Sequence, residues 1–169
     1  VMGHVKDITN LNSLTKWVQD QFDTRLNWDN VKRIKDWWGG KLIIKGIMDP
    51  DDAKMAQKCG ADALVVSNHG GRQLDGVNSS ISTLPEIKKA VSNMEVLMDG
   101  GISSGQDILK AIAMGAEGVM IGRSFVYGLS AGGKEGVTKS LEILNTELDM
   151  TMALCGRRDI KDVGRDIIK

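Results

Sequence analysis

Four short aliphatic runs, Leu42 to Ile47, Ala63 to Ser67, Glu95 to Asp99 and Gly118 to Ile121, recur along this chain with helix-like segments between them. That alternation constrains the fold more than any other feature, because a strand, a helix and a strand in succession form a crossover that joins parallel neighbours. The runs are near-continuous rather than alternating, so all four are expected to be buried strands of a sheet covered on one or both faces. Between them, helices are expected from Asp51 to Cys59 after Pro50, from Pro85 to Val91, and from Gly105 to Met114 behind the cap candidates Ser103 and Ser104. A further helix is expected from Gly133 to Leu148, with Val137, Leu141, Leu144 and Leu148 on one stripe, and another near Trp28 to Trp37. The segment from Asn10 to Asn27 reads as loop with a short amphipathic helix around Leu14 to Phe22. The fold class is therefore α/β, built on parallel strand-helix units.

Composition narrows the partners. The chain of 169 residues balances 22 Lys and Arg against 22 Asp and Glu, which removes any general pull toward nucleic acid. Cys59 and Cys155 have no metal-ligand spacing and are expected to be reduced packing residues of a cytoplasmic protein. His4 and His69 add no recognisable zinc set, so no metal site is expected. The stretch from Val1 to Asp7 lacks the basic start and apolar core of a signal peptide. Trp17, Trp28, Trp37 and Trp38 are expected to pack rather than to form a stacking platform. The glycine pairs do not have the spacing of a Rossmann nucleotide site.

The polar chemistry gathers where the runs end. The first ends at Lys45-Gly46, the second at Ser67-Asn68-His69, the third at Asp99-Gly100-Gly101 and the fourth at Gly122-Arg123. In a barrel of parallel strands this rim carries the active site. Within Ser67 to Asp75, His69 can take a proton and Arg72 can grip a carboxylate through two parallel hydrogen bonds, with Gly70 and Gly71 letting the backbone turn between them. The glycines of the third and fourth ends run toward helix starts, a cradle of N–H groups suited to phosphate, with Arg123 adding charge. Asp75 and Asp107 read as loop and helix-end hydrogen-bonding residues.

These motifs, together with Leu42-Ile43-Ile44-Lys45-Gly46, Asp99-Gly100-Gly101-Ile102, Ser104-Gly105-Gln106-Asp107, Ile121-Gly122-Arg123, Trp38-Gly39-Gly40-Lys41 and Met150 to Cys155, resemble the FMN-dependent α-hydroxy acid dehydrogenase family, and within it the bacterial L-lactate dehydrogenases. The resemblance implies the C-terminal half of a TIM (β/α)₈ barrel, a parallel half-barrel. Residues 1–169 then form one unit, with an N-terminal loop and helix segment over 1–30, strand-helix units over 31–150 and a tail over 151–169.

By the same resemblance, FMN is the cofactor and a small 2-hydroxy acid the substrate, most simply L-lactate going to pyruvate, with a quinone or other electron acceptor. His69 is then the base and Arg72 the substrate-binding residue. Lys45, Ser67, Asp99, Gly100, Gly101, Ser103, Gly122 and Arg123 are the cofactor-binding residues. Ser103 stands where the family usually has arginine. The resemblance also implies a missing N-terminal half or a homo-oligomer, and a cytoplasmic location with a peripheral position on the inner face of the cell membrane in some bacterial relatives. Two alternatives stand beside it: a non-catalytic remnant or phosphate-binding half-barrel, and a glycolate or lactate oxidase using oxygen.

Overall fold

The computed structural model describes residues 10–168, so His4 and the stretch from Val1 to Asp7 lie outside the described residues. The elements follow in the order α1 (Leu11–Asp20), α2 (Trp28–Trp38), β1 (Ile43–Ile47), α3 (Pro50–Lys58), β2 (Ala63–Val66), α4 (Ser80–Ala90), β3 (Glu95–Met98), α5 (Gly105–Ala113), β4 (Gly118–Val119) and α6 (Arg123–Leu154). The sheet runs β1-β2-β3-β4 with every neighbouring pair parallel, as the alternation of strands and helices requires.

One face of the sheet is closed by helices. Leu64, Val66, Val96 and Met98 bury their side chains with Ala53 and Ala56 of α3 and with Leu84 and Ile87 of α4. Strand side chains alternate between faces. Lys45 lies level with Val65, and Val65 level with Leu97, so Lys45, Ser67 and Asp99 fall on the other face, near its carboxyl rim.

Three expectations need correction. β1 and β4 are not buried: among the described residues each pairs with one strand, only Ile47 of β1 is buried while Ile43 is exposed, and Gly118 and Val119 of β4 are half-buried. An edge strand has water where its second neighbour would be. α4 begins at Ser80 behind the cap Ser79, five residues before the expected start at Pro85, because the buried stripe Ser80, Thr83, Leu84 and Ile87 outweighs the one helical hydrogen bond that Pro85 cannot make. The last helix starts at Arg123 rather than Gly133 and breaks at Gly132 and Gly133, whose backbone leaves the helical region.

Smaller corrections concern single residues. Leu144 is buried, but Leu141 on the same stripe is exposed, as are Trp37, Trp38 and Cys155. Trp37 instead carries the Arg33 guanidinium over its ring, 4.9 Å from the centroid. Phe125, Val126, Tyr127 and Leu129 of α6 are also exposed, beside the open edge at β4.

Candidate active site at the carboxyl rim

The sheet's carboxyl rim opens into a cleft of about 550 Å³ lined by Lys45, His69, Gly70, Arg72, Asp99, Gly100, Gly101, Ile102, Ser103, Met120, Gly122, Arg123, Ser124 and Tyr127. Nine of the ten residues singled out in the sequence therefore face one space. The exception is Ser67, whose side chain is 1% exposed and lies beneath the cleft rather than in its wall. As the residue after β2, it lies on the face of the sheet that carries Lys45 and Asp99. Tyr127, Met120 and Ser124 were missed, because nothing in the local pattern distinguishes them until α6 is seen to start at Arg123.

Below the cleft the polar groups are tightly connected. The Lys45 ammonium pairs with Asp99 Oδ2 at 2.9 Å and donates to Ser67 Oγ at 2.9 Å. The His69 backbone N–H donates to the same Ser67 oxygen at 3.1 Å. His69 has φ of +55°, an uncommon conformation for a residue with a Cβ. Its imidazole lies over Gly46, where a Cβ would come within 2.8 Å of Cε1. Gly46 sits where the β1–β2 register shifts, so a bulge and a φ of +98° make the room that His69 occupies. Asn68 fixes the following turn, its Oδ1 accepting from Gly70 N–H at 3.0 Å and its N–H donating to Ser80 Oγ at 3.2 Å.

Two helices present their amino ends to this rim, and they differ. The α5 end is closed by acids. Asp107 accepts from the N–H and hydroxyl of both Ser103 and Ser104, while Glu147 of α6 accepts from Gly105 N–H at 2.8 Å. Burial by itself would raise the Asp107 carboxyl, but those four hydrogen bonds outweigh it and hold the group below its ordinary value. Ser103 lines the cleft, yet its hydroxyl is turned toward Asp107. The α6 end is open: Gly122 caps it without a side chain, and its first turn carries no acid. Arg123 and Arg72 make no ion pair among the described residues.

A flavin mononucleotide presents a phosphate dianion, a polyol and a flat ring, and the residues present fit it. The open amino end of α6 with Arg123 suits the phosphate. Gly101 and Gly122 have nothing within 4 Å of where a Cβ would stand, so backbone approaches the cleft unobstructed. Asp99 Oδ1 is buried without a hydrogen-bond partner, an acceptor left for a hydroxyl.

A parallel βα sheet whose carboxyl rim gathers a histidine and two arginines that make no ion pair among the described residues has the arrangement of part of a TIM barrel. The family model described as FMN-dependent dehydrogenase matches residues 2–169, and the chain belongs to that family. An L-lactate dehydrogenase of Caulobacter vibrioides is 45% identical over 179 residues, covering 99% of this chain and 47% of the relative. Another, from Allorhizobium ampelinum, is 48% identical over 167 residues, covering 98% and 44%. Among solved structures, a mandelate oxidase with (S)-4-hydroxymandelic acid superposes with a TM-score of 0.80 at 42% identity, over 83% of this chain and 40% of that one. A monotopic membrane protein, (S)-mandelate dehydrogenase, superposes with a TM-score of 0.86 at 36% identity, over 96% and 43%. The chain thus spans a little under half the length of the curated relatives it matches, and its sheet is part of their barrel.

Proposed function

We propose that this chain is the carboxyl-terminal part of an FMN-dependent L-2-hydroxy acid dehydrogenase acting on L-lactate. The observation that carries the reading is the convergence of His69, Arg72, Lys45 and Arg123 on one cleft, where neither arginine makes an ion pair among the described residues. When bound, FMN supplies the two-electron acceptor needed to oxidise a 2-hydroxy acid to a 2-oxo acid. Arg123 and the α6 amino end hold its phosphate, while Gly100, Gly101 and Gly122 let backbone N–H groups come close.

Arg72 binds the substrate carboxylate through two parallel hydrogen bonds, which fixes the substrate's plane as well as its position. His69 takes the proton released from the substrate, from an imidazole oriented by Gly46 and the Ser67 hydrogen bond. Lys45, held by Asp99 and Ser67, sets its ammonium at the cleft floor, where it would stabilise negative charge on a reduced flavin. Ser103 contributes one neutral hydrogen-bonding group, already directed to Asp107, in place of a cation.

Lactate is favoured over mandelate because the curated relatives at 45–48% identity are L-lactate dehydrogenases. Electrons pass on to a quinone or a similar acceptor. The oxidase reading has the mandelate oxidase neighbour in its favour. The open edges at β1 and β4 are completed by further strands, from an amino-terminal half of the same enzyme or from another copy. No helix among the described residues is long and apolar enough to cross a membrane. A peripheral membrane position is proposed by analogy with the monotopic neighbour, with the exposed Leu11, Val18 and Phe22 around α1 as the apolar contact, and vesicle flotation checks it.

Anaerobic addition of L-lactate to the FMN-loaded chain tests the function. Bleaching of the flavin band by L-lactate but not by D-lactate is expected. No bleaching with saturating FMN would leave a binding module without turnover, and rapid oxygen consumption would move the protein to the oxidases.

A further inference from the structure

We infer that Gly136 is a positioning residue for the phosphate end of the cleft: it lets the helical limb that begins at Arg123 dock backbone against backbone. α6 bends at Gly132 and Gly133 into a first limb, 123–131, and a second, 134–154. The second limb is anchored, since Leu144 and Met152 are buried and Glu147 accepts from Gly105 N–H of α5 at 2.8 Å. The first limb has no buried residue. Phe125, Val126, Tyr127 and Leu129 are exposed, and within 123–131 only Ser124 and Gly128 are as much as half-buried.

Gly128 is where the two limbs meet. A Cβ on Gly136 would overlap the Gly128 carbonyl oxygen, and a Cβ on Gly128 would come within 2.5 Å of the Gly136 carbonyl oxygen. The obstacle at Gly136 is backbone, which cannot swing aside as a side chain can, so a methyl group there must push the limbs apart. Ser140 completes the seat: its hydroxyl donates to the Gly136 carbonyl at 3.0 Å and lies against Gly128. At its other end the first limb continues from β4, where Met120 N–H donates to the Met98 carbonyl at 2.9 Å. Among the described residues the limb is thus held at β4 and at the crossing. About 7–8 Å of helix separates Gly128 from Arg123, so a shift at the crossing is carried to the Arg123 end. The link to phosphate rests on the function proposed above. The docking of the limb does not.

The test places Gly136→Ala in the full chain and compares its affinity for FMN with that for riboflavin, alongside amide hydrogen exchange read without flavin. Riboflavin affinity is expected to stay within about twofold, while FMN affinity falls roughly 10-fold or more, toward that of riboflavin. The amides of 126–131 should exchange about 10-fold faster, with those of α5 and β3 keeping their protection. Leu144→Ala is the control for stability alone: it leaves a cavity under the anchored limb, so the melting temperature falls while the preference for FMN over riboflavin stays. Ser140→Val widens the same crossing from a side chain and should lower that preference in the same direction, which keeps the test decisive if Gly136→Ala does not fold.

An unchanged preference for FMN in Gly136→Ala, or an equal loss of it in Leu144→Ala, would overturn the proposal by making Gly136 a bystander or a packing residue. Exchange that rises evenly through α5 and β3 would overturn it too. If Gly136→Ala does not fold, an unchanged preference in Ser140→Val does the same. A wild-type chain that binds neither flavin would sink the function proposed above, and exchange in 126–131 would then decide by itself whether Gly136 docks the limb.

Discussion

The two rims of this sheet use charge in opposite ways. At the amino rim two acids are paired. Asp62, just before β2, accepts from Lys35 of α2 at 2.5 Å, from Lys41 at 2.7 Å and from Leu42 N–H at 2.9 Å. Glu117, just before β4, accepts from Lys88 of α4 at 2.7 Å and from Val96 N–H at 2.5 Å. At the carboxyl rim, Arg72 and Arg123 face the cleft without an ion pair among the described residues, and Asp99 Oδ1 has no partner. The amino rim uses Asp62 and Glu117 to join strands to helices, whereas the carboxyl rim pairs Lys45 with Asp99 but leaves Arg72 and Arg123 for a ligand. This is the division of labour expected when one end of a parallel barrel carries stability and the other chemistry.

That contrast can be broken from either side. Arg123→Glu should have the largest effect. It places a carboxylate at the open end of α6, so FMN binding followed by flavin fluorescence should weaken more than ~100-fold; Arg123→Ala should cost roughly 10- to 150-fold, the value of one charged hydrogen bond. The melting temperature should stay unchanged in both. Gly46→Ala comes next. A methyl group 2.8 Å from His69 Cε1, on a backbone at φ of +98°, displaces the base, and single-turnover flavin reduction by L-lactate should slow about 10²-fold.

Ser103→Arg runs the other way. It returns a cation to the rim beside the closed α5 end and should tighten FMN by up to about 10-fold. A weaker complex would show that the Ser103–Asp107 bond matters more than the missing charge.

The amino rim gives the smallest and most separable effect. The Lys35 and Lys41 ammoniums beside Asp62, with Leu42 N–H, hold its carboxyl well below the usual carboxylate range. A depressed carboxylate stabilises the fold above its unfolded pKa, and that contribution is lost as pH falls through the folded value. Thermal unfolding scans should therefore show stability declining from about pH 4 downward. In Asp62→Asn the melting temperature at neutral pH should be lower and the acid limb flatter, with FMN affinity unchanged.

Much of this was legible in the chain. The parallel strand order, the helix behind Ser104 and the gathering of His69, Arg72, Lys45, Asp99, Gly122 and Arg123 at one rim all follow from short aliphatic runs that end in polar residues. What was not legible depends on neighbours far away in sequence. β1 reads as buried because Leu42 to Ile47 are apolar, but exposure depends on whether a strand lies beside it. Pro85 reads as a helix start, yet the packing of Leu84 and Ile87 carries α4 through it. That the Ser67 hydroxyl is buried and meets Lys45 from the neighbouring strand is likewise hidden until the two strands are paired.

The most direct test of the central claim, that the open amino end of α6 with Arg123 holds the cofactor phosphate, is a paired titration of the full chain with FMN and with riboflavin. The account predicts saturable FMN binding and riboflavin binding at least ~10-fold weaker, since riboflavin lacks only the phosphate. Equal affinities would contradict it, because the phosphate would then find nothing at Gly122 and Arg123.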